Sequence, residues 1–147
     1  VTLPAVSGET LARRLREAAP NSVVEWSEAA VWVEPGSLDS VASVLHDDAE
    51  IDFKFLNSIS AIDFVEHFEL VYHLTSISRR HTGVVRSRVY GREEPTAASV
   101  VGVWKGADFQ EREIWDLMGV RFIGHPNMKR IMLWEGFDGH PLRKDFL

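Results

Sequence analysis

Four charged residues, Glu111, Arg112, Glu113 and Asp116, fall within six positions, and His125 follows after an apolar run and a glycine turn. Carboxylates beside a histidine can ligate a metal ion or serve as an acid and base pair. The same residues can equally form the solvated face of a helix or a surface for another protein. Helical geometry narrows the choice. Glu111 and Glu113 stand about 200° apart on a helix, two residues at about 100° each, so they do not converge on one ion. Neither H-E-x-x-H nor paired E-x-x-H occurs, which leaves out the usual helical zinc and di-iron patterns. Ser58, Ser60, Ser76, Ser78 and Ser87 lie in strand-like contexts without a G-x-S-x-G elbow, and no glycine-rich phosphate loop is present. His67, His73 and His81 fall at strand positions or edges, where structural roles are the default. A metal-dependent enzyme built on His125, His140 and nearby carboxylates is the competing catalytic reading.

The elements that must position these groups follow from periodicity. Ser7 is placed to cap a helix reaching about Ala19, with Leu11 and Leu15 facing a core and Pro20 ending it. Two short strands, Ser22–Trp26 and Ala29–Val33, come next. Ser37 then caps a helix carrying Leu38, Val41, Val44 and Leu45 on one side. The pattern changes to alternation, with Phe53, Phe55, Asn57 and Ile59 opposite Lys54, Leu56 and Ser58. In the next strand Phe68, Leu70, Tyr72 and Leu74 face one way, Val71 and Ile77 the other. Val85, Ser87 and Val89 alternate with Arg86, Arg88 and Tyr90. Thr96 is expected to cap a helix over Ala97–Trp104. Asp108 is expected to cap another over Phe109–Met118, with Glu111 completing a capping box. Ile114, Leu117 and Met118 would form its buried stripe, while Arg112 pairs with Asp108 or Asp116 at the surface. Gly119 ends it. Beyond Arg121 the chain reads as a string of turns around Ile131-Met132-Leu133-Trp134. The fold class is α+β: helices packed on a mixed, mostly antiparallel β-sheet, with an irregular extended C-terminal tail. Residues 1–120 form the α+β domain and 121–147 a turn-rich C-terminal docking segment.

Composition excludes several classes. The chain is 45% hydrophobic and 26% charged, ordinary for a globular domain and too apolar for disorder. No apolar run approaches the ~20 residues that cross a bilayer. The start, VTLPAVSGE, lacks a signal sequence and an initiator Met, as expected of a processed or trimmed product. A net charge of −6 argues against nucleic acid as the main partner. With no cysteine, the chain offers no thiolate for an iron–sulfur cluster and no Cys nucleophile. Charge is skewed: residues 1–52 hold three basic and ten acidic side chains, whereas 121–147 hold five basic and three acidic. A mildly basic tail suits a negative partner surface. From the residues alone, the chain reads as an α+β domain of a binding or assembly kind.

A sharper expectation comes from two motifs. Glu111-Arg112-Glu113, two residues, Asp116-Leu117-Met118, six residues, His125, three residues, Lys129 and then Ile131-Met132 resembles the signature of the C-type subunit of NADH-quinone oxidoreductase, the 30 kDa subunit of respiratory complex I. Gly139-His140-Pro141-Leu142-Arg143-Lys144-Asp145-Phe146 resembles the ending of the same family. Together the motifs cover roughly residues 104–146; the earlier half is similar only in its order of helices and strands.

The resemblance implies a non-catalytic, cofactor-free subunit of the hydrophilic arm, with the oxidoreductase and translocase activity belonging to the assembled complex. Electrons would pass from NADH through FMN and iron–sulfur clusters to quinone within neighbouring subunits. The expected partners are the quinone-site subunit (D type) and the iron–sulfur subunits (B and I types). The expected location is peripheral, on the cytoplasmic side of the cell inner membrane. Equivalent subunits in ferredoxin-fed, coenzyme F420-dependent or hydrogenase-type membrane complexes are the related alternatives. Under this resemblance Glu111, Arg112 and Glu113 are expected to form a charged partner-recognition face. Asp116 and Lys129 belong to the same docking set. Trp115 and Trp134 are expected as aromatic anchors. Gly119, Gly124 and Pro126 shape the turns carrying His125 and Arg130. Arg143, Lys144 and Asp145 are expected to become ordered only on meeting the partner.

Overall fold

The computed structural model describes residues 2–133 and 137–146. Helix α1 (Gly8–Ala18) starts where the Ser7 hydroxyl accepts the Thr10 N–H at 3.2 Å, and buries Leu11, Ala12 and Leu15. Its first residue must be glycine, because a Cβ there would sit 2.0 Å from the Ala30 carbonyl oxygen and 2.1 Å from that of Ser27. That close approach presses α1 onto the turn between β1 (Val23–Trp26) and β2 (Val31–Val33), which pair antiparallel. A 3-10 turn, Pro35–Ser37, runs directly into α2 (Leu38–Asp47). Ser37 therefore makes no side-chain cap, contrary to the sequence expectation: the preceding turn already supplies the helical entry.

Three long strands form the centre: β3 (Phe55–Asp63), β4 (Phe68–Ser76) and β5 (His81–Val89) make an antiparallel meander. β2 adds to β5 in parallel, giving the order β1-β2-β5-β4-β3 with β3 at one edge. Phe68, Leu70, Tyr72 and Leu74 are all buried, as alternation requires. Ile77 does not belong to the strand; it lies in the following turn, 76% exposed. β3 departs from simple alternation as well. A bulge between Leu56 and Ser58 resets the phase, so Leu56 and Ile59 both point inward and Phe55 turns out. Phe53 precedes the strand and is fully buried, its ring in the space that a side chain at Gly83 would fill.

The expected helix over 97–104 is absent. Thr96–Ala98 is instead a strand, β6, paired in parallel with β7 (Arg121–Ile123), and turns occupy 101–103. Trp104 anchors the segment, its indole N–H donating to the Phe53 carbonyl at 2.9 Å. Residues 121–123 are thus tied by backbone bonds to the part of the chain before them, and the stretch after Arg121 is not turns alone. Between β6 and β7 runs α3 (Ala107–Met118), ended by Gly119 in the left-handed region at φ 81°. Gly106, not Asp108, holds the cap position, and no side chain caps the helix. Inner faces of α1, α2, the meander, α3 and β7 share one hydrophobic core.

Candidate functional site

The motif-bearing residues converge around α3, but the charges are not a solvated helix face. Ala107, Glu111, Ile114 and Met118 make the buried stripe, so Glu111 takes a core position and Leu117 is only half-buried. The Glu111 carboxylate is 0% exposed; it accepts the Ser99 hydroxyl at 2.6 Å and the Val100 N–H at 2.9 Å. Burial pushes its pKa up, against the pull of those two bonds and of His125. It faces inward rather than back toward a cap, which is why the capping box does not form. The Tyr72 hydroxyl, buried and without a hydrogen-bond partner among the described residues, has its pKa raised by burial first and by the Glu111 charge second.

Asp116 is also fully buried, so the expected surface pairs with Arg112 do not form. Its Oδ2 accepts three successive N–H groups, from Ile131 (3.3 Å), Met132 (2.8 Å) and Leu133 (3.0 Å), and Arg130 Nε lies 3.2 Å from Oδ1. Arg130 continues outward, donating to the carbonyls of Phe137 at 3.0 Å and Gly139 at 2.6 Å. His140 Nδ1 donates to the Asp116 main-chain carbonyl at 2.9 Å, and its ring packs 5.0 Å from Trp115. Asp116 is the hub on which the C-terminal loop is wound.

His125 has a fully buried side chain. Its Nδ1 accepts the Asn127 N–H at 2.9 Å, so Nε2 carries the proton and donates to the Asp108 carbonyl at 3.2 Å, with Asp108 Oδ1 at 3.0 Å. Asp108 thereby meets His125 rather than Arg112. Arg112 instead donates to the Lys129 carbonyl at 3.1 Å and lies over the exposed Phe109 ring. Glu113 and Lys129 are exposed, Trp115 and Arg130 half-buried, and Arg121 covers the Trp115 ring. Trp134 lies outside the described residues.

The tail is already held in the isolated chain. Asp63, at the end of β3, grips Arg92 through two bonds of 2.7 and 2.8 Å and accepts the Lys144 N–H at 2.8 Å. Arg143 donates to the Arg92 carbonyl at 2.8 Å and to Asp145 at 2.9 Å, and both arginines lie over Phe68. The Arg92 bonds hold the Asp63 carboxyl well below the usual range, and the Arg143 bonds lower that of Asp145. Arg143, Lys144 and Asp145 thus have partners within the chain: Lys144 on the buried Asp63 carboxylate, Arg143 and Asp145 on Arg92 and on each other.

Among the described residues no three His, Asp or Glu side chains converge as a metal ion would need. Sequence reading missed Ser99, Asp63, Arg92 and Gln110 as parts of the site. For Glu111 a signal existed, since it falls in phase with Ala107, Ile114 and Met118 at helical spacing. For the others no local signal existed, because their partners are remote in sequence.

Over residues 31–147 the chain matches the family described as the 30 Kd subunit of respiratory-chain NADH dehydrogenase. It belongs to this family. The C-type NADH-quinone oxidoreductase subunit of Roseiflexus sp. (strain RS-1) is 37% identical over 148 residues, 96% of this chain and 84% of that protein. The second C-type subunit of Rhizobium etli (strain CIAT 652) is 40% identical over 117 residues, 78% of this chain and 62% of that protein. The mitochondrial NADH-ubiquinone oxidoreductase 30.4 kDa subunit of Neurospora crassa is 39% identical over 122 residues, 81% of this chain and 42% of that protein. Among solved structures, a chain of the membrane-bound sulfane sulfur reductase, an archaeal respiratory membrane complex, superposes with a TM-score of 0.69 at 26% identity, covering 95% of this chain and 85% of that one. In this member of the 30 kDa family, the motif carboxylates Glu111 and Asp116 build the surface from beneath, while Arg112, Glu113 and Lys129 show at it.

Proposed function

We propose that the chain serves as a non-catalytic subunit of the peripheral arm of a proton-translocating NADH-quinone oxidoreductase. Membership of the 30 kDa subunit family across residues 31–147 carries this reading. Electron transfer from NADH through FMN and iron–sulfur clusters to quinone then belongs to neighbours; this chain has no cysteine to ligate a cluster. Its own work is to present a fixed surface. Arg112, Glu113 and Lys129 contact the quinone-site subunit of the D type, Trp115 and Trp134 anchor the interface, and iron–sulfur subunits of the B and I types lie beside it. Glu111, Asp116, His125 and Arg130 hold that surface from within. Arg143, Lys144 and Asp145 extend it along the tail.

No described helix is long and apolar enough to cross a membrane; in this reading the chain sits on the cytoplasmic side of the inner membrane, held there by its partners. Affinity purification of the full chain from gently solubilised native membranes tests the reading. Recovery of the D-, B- and I-type subunits in constant proportion is the expected result; repeated recovery of the chain alone would overturn it.

A further inference from the structure

One carboxylate of the motif helix has no internal use. Glu113 is exposed and takes part in no hydrogen bond or ion pair among the described residues, unlike Glu111 and Asp116 on the same helix. It stands on the rim of a groove of about 260 Å³ formed by three separate segments. One wall is the β3 edge at Ile59, Ser60 and Ala61. The other is α3, with Gln110, Ile114, Leu117 and Met118. Leu142 of the tail closes the end, its N–H bonded to the Leu117 carbonyl at 2.8 Å.

The β3 side is the free edge of the five-stranded sheet. The Ile59 N–H points away from β4 and is met by Gln110 Oε1 at 2.6 Å, a side-chain amide standing where a neighbouring strand would offer a carbonyl. Backbone alternation directs the Ala61 N–H and carbonyl the same way, two residues on, with no such cover. The groove is smaller than the ~300–1,000 Å³ of small-molecule sites, so it suits one side chain better than a cofactor. Its apolar walls and single carboxylate define that side chain: a long aliphatic stem ending in a cation.

We propose that this groove receives an arginine or lysine projecting from an extended segment of a partner subunit. The stem lies along Leu117, Met118 and Leu142, the charged head meets the Glu113 carboxylate, and the segment's backbone bonds the β3 edge at Ala61. The inference rests on the subunit reading above and adds the chemistry of the partner at one place. Charge complementarity commits it to a basic segment of another protein rather than to a second copy, since two copies each carrying a net charge of −6 repel.

The test uses the full chain, affinity-purified with its complex from native membranes. Glu113→Lys reverses the rim charge, Ala61→Leu narrows the groove, and Glu113→Asp keeps the charge. Glu113→Lys and Ala61→Leu are expected to lower recovery of the partner subunits about tenfold, with Glu113→Asp close to wild type. Thermal unfolding of Glu113→Lys is expected to match wild type, since the carboxylate supports nothing within the described chain. Wild-type recovery by Glu113→Lys, while the unaltered chain still brings down the complex, overturns the groove proposal and leaves the subunit reading standing. Failure of the unaltered chain to recover any partner overturns both. Self-association of the purified chain that Glu113→Lys abolishes would assign the groove to a second copy and overturn the proposal as well.

Discussion

The Asp63 carboxylate holds the Arg92 guanidinium by two parallel bonds, and the Lys144 backbone hangs from the same carboxylate 81 positions along the chain. A pair that is nearly buried on the aspartate side is where breaking one partner is felt. Asp63→Asn keeps the shape and removes the charge; it is expected to lower stability by roughly 2–3 kcal/mol and to expose the tail to protease cleavage near Arg143. Equilibrium denaturation and limited proteolysis measure the two effects. The sign with pH follows from a depressed carboxyl. Its contribution is complete above the ordinary aspartate value of ~3.9 and is lost as pH falls toward the lower folded value. The variant is therefore expected to show a shallower loss of stability with acid than wild type.

Glu111 is expected to respond in the opposite direction. Its folded pKa is raised by burial, so the folded chain prefers the protonated form. Stability from this group falls as pH rises from the ordinary glutamate value through the higher folded one, then stays constant. Glu111→Gln retains an acceptor for the Val100 N–H and a donor toward Ser99 and removes the buried charge. At neutral pH it is expected to unfold within about 1 kcal/mol of wild type or to be more stable, with the difference shrinking below about pH 4. Glu111→Ala strands both donors and opens a cavity, and is expected to cost about 2–4 kcal/mol. Denaturant titrations at several pH values separate these outcomes.

Asp116→Ala should release the loop more than it unsettles the core. Three backbone N–H groups, at 131, 132 and 133, lose their acceptor together, and Arg130 loses its counter-charge. Hydrogen exchange at residues 131–133 is expected to quicken at least about tenfold, while amides of β4 and β5 exchange as before. Asp116→Asn keeps one acceptor and should fall between. Uniform acceleration across the sheet would show that Asp116 supports the whole domain instead.

Much of the frame was legible where the signal is local. The Ser7 cap, the alternation of Phe68, Leu70, Tyr72 and Leu74, and Gly119 closing α3 all rest on neighbours a few residues away. Thr96–Ala98 misled because Pro95-Thr96 has the chemistry of a helix start, whereas its strand partner, Arg121–Ile123, lies 25 positions later. Phe55 misled because Phe53 lies before β3 begins, so the alternation that starts at Phe55 does not continue its face, and Ile59 turns inward through a one-residue bulge. The site was legible as a set of positions rather than as a set of roles. Its charged letters read as surface, yet Glu111 and Asp116 are interior because Ser99, Val100 and residues 131–133 bring donors to them from elsewhere in the chain. A buried carboxylate becomes tenable only once those remote groups arrive.

The parallel pairing of β6 with β7 closes residues 96–123 into a ring, with α3 as its arc. Backbone bonds beyond both ends of the helix restrain it from sliding or tilting. Under the docking proposed above, this arc meets its partner as a rigid body. The conformational entropy of ordering the helix is lost once, when the domain folds, and only the rigid-body cost of association recurs at each encounter.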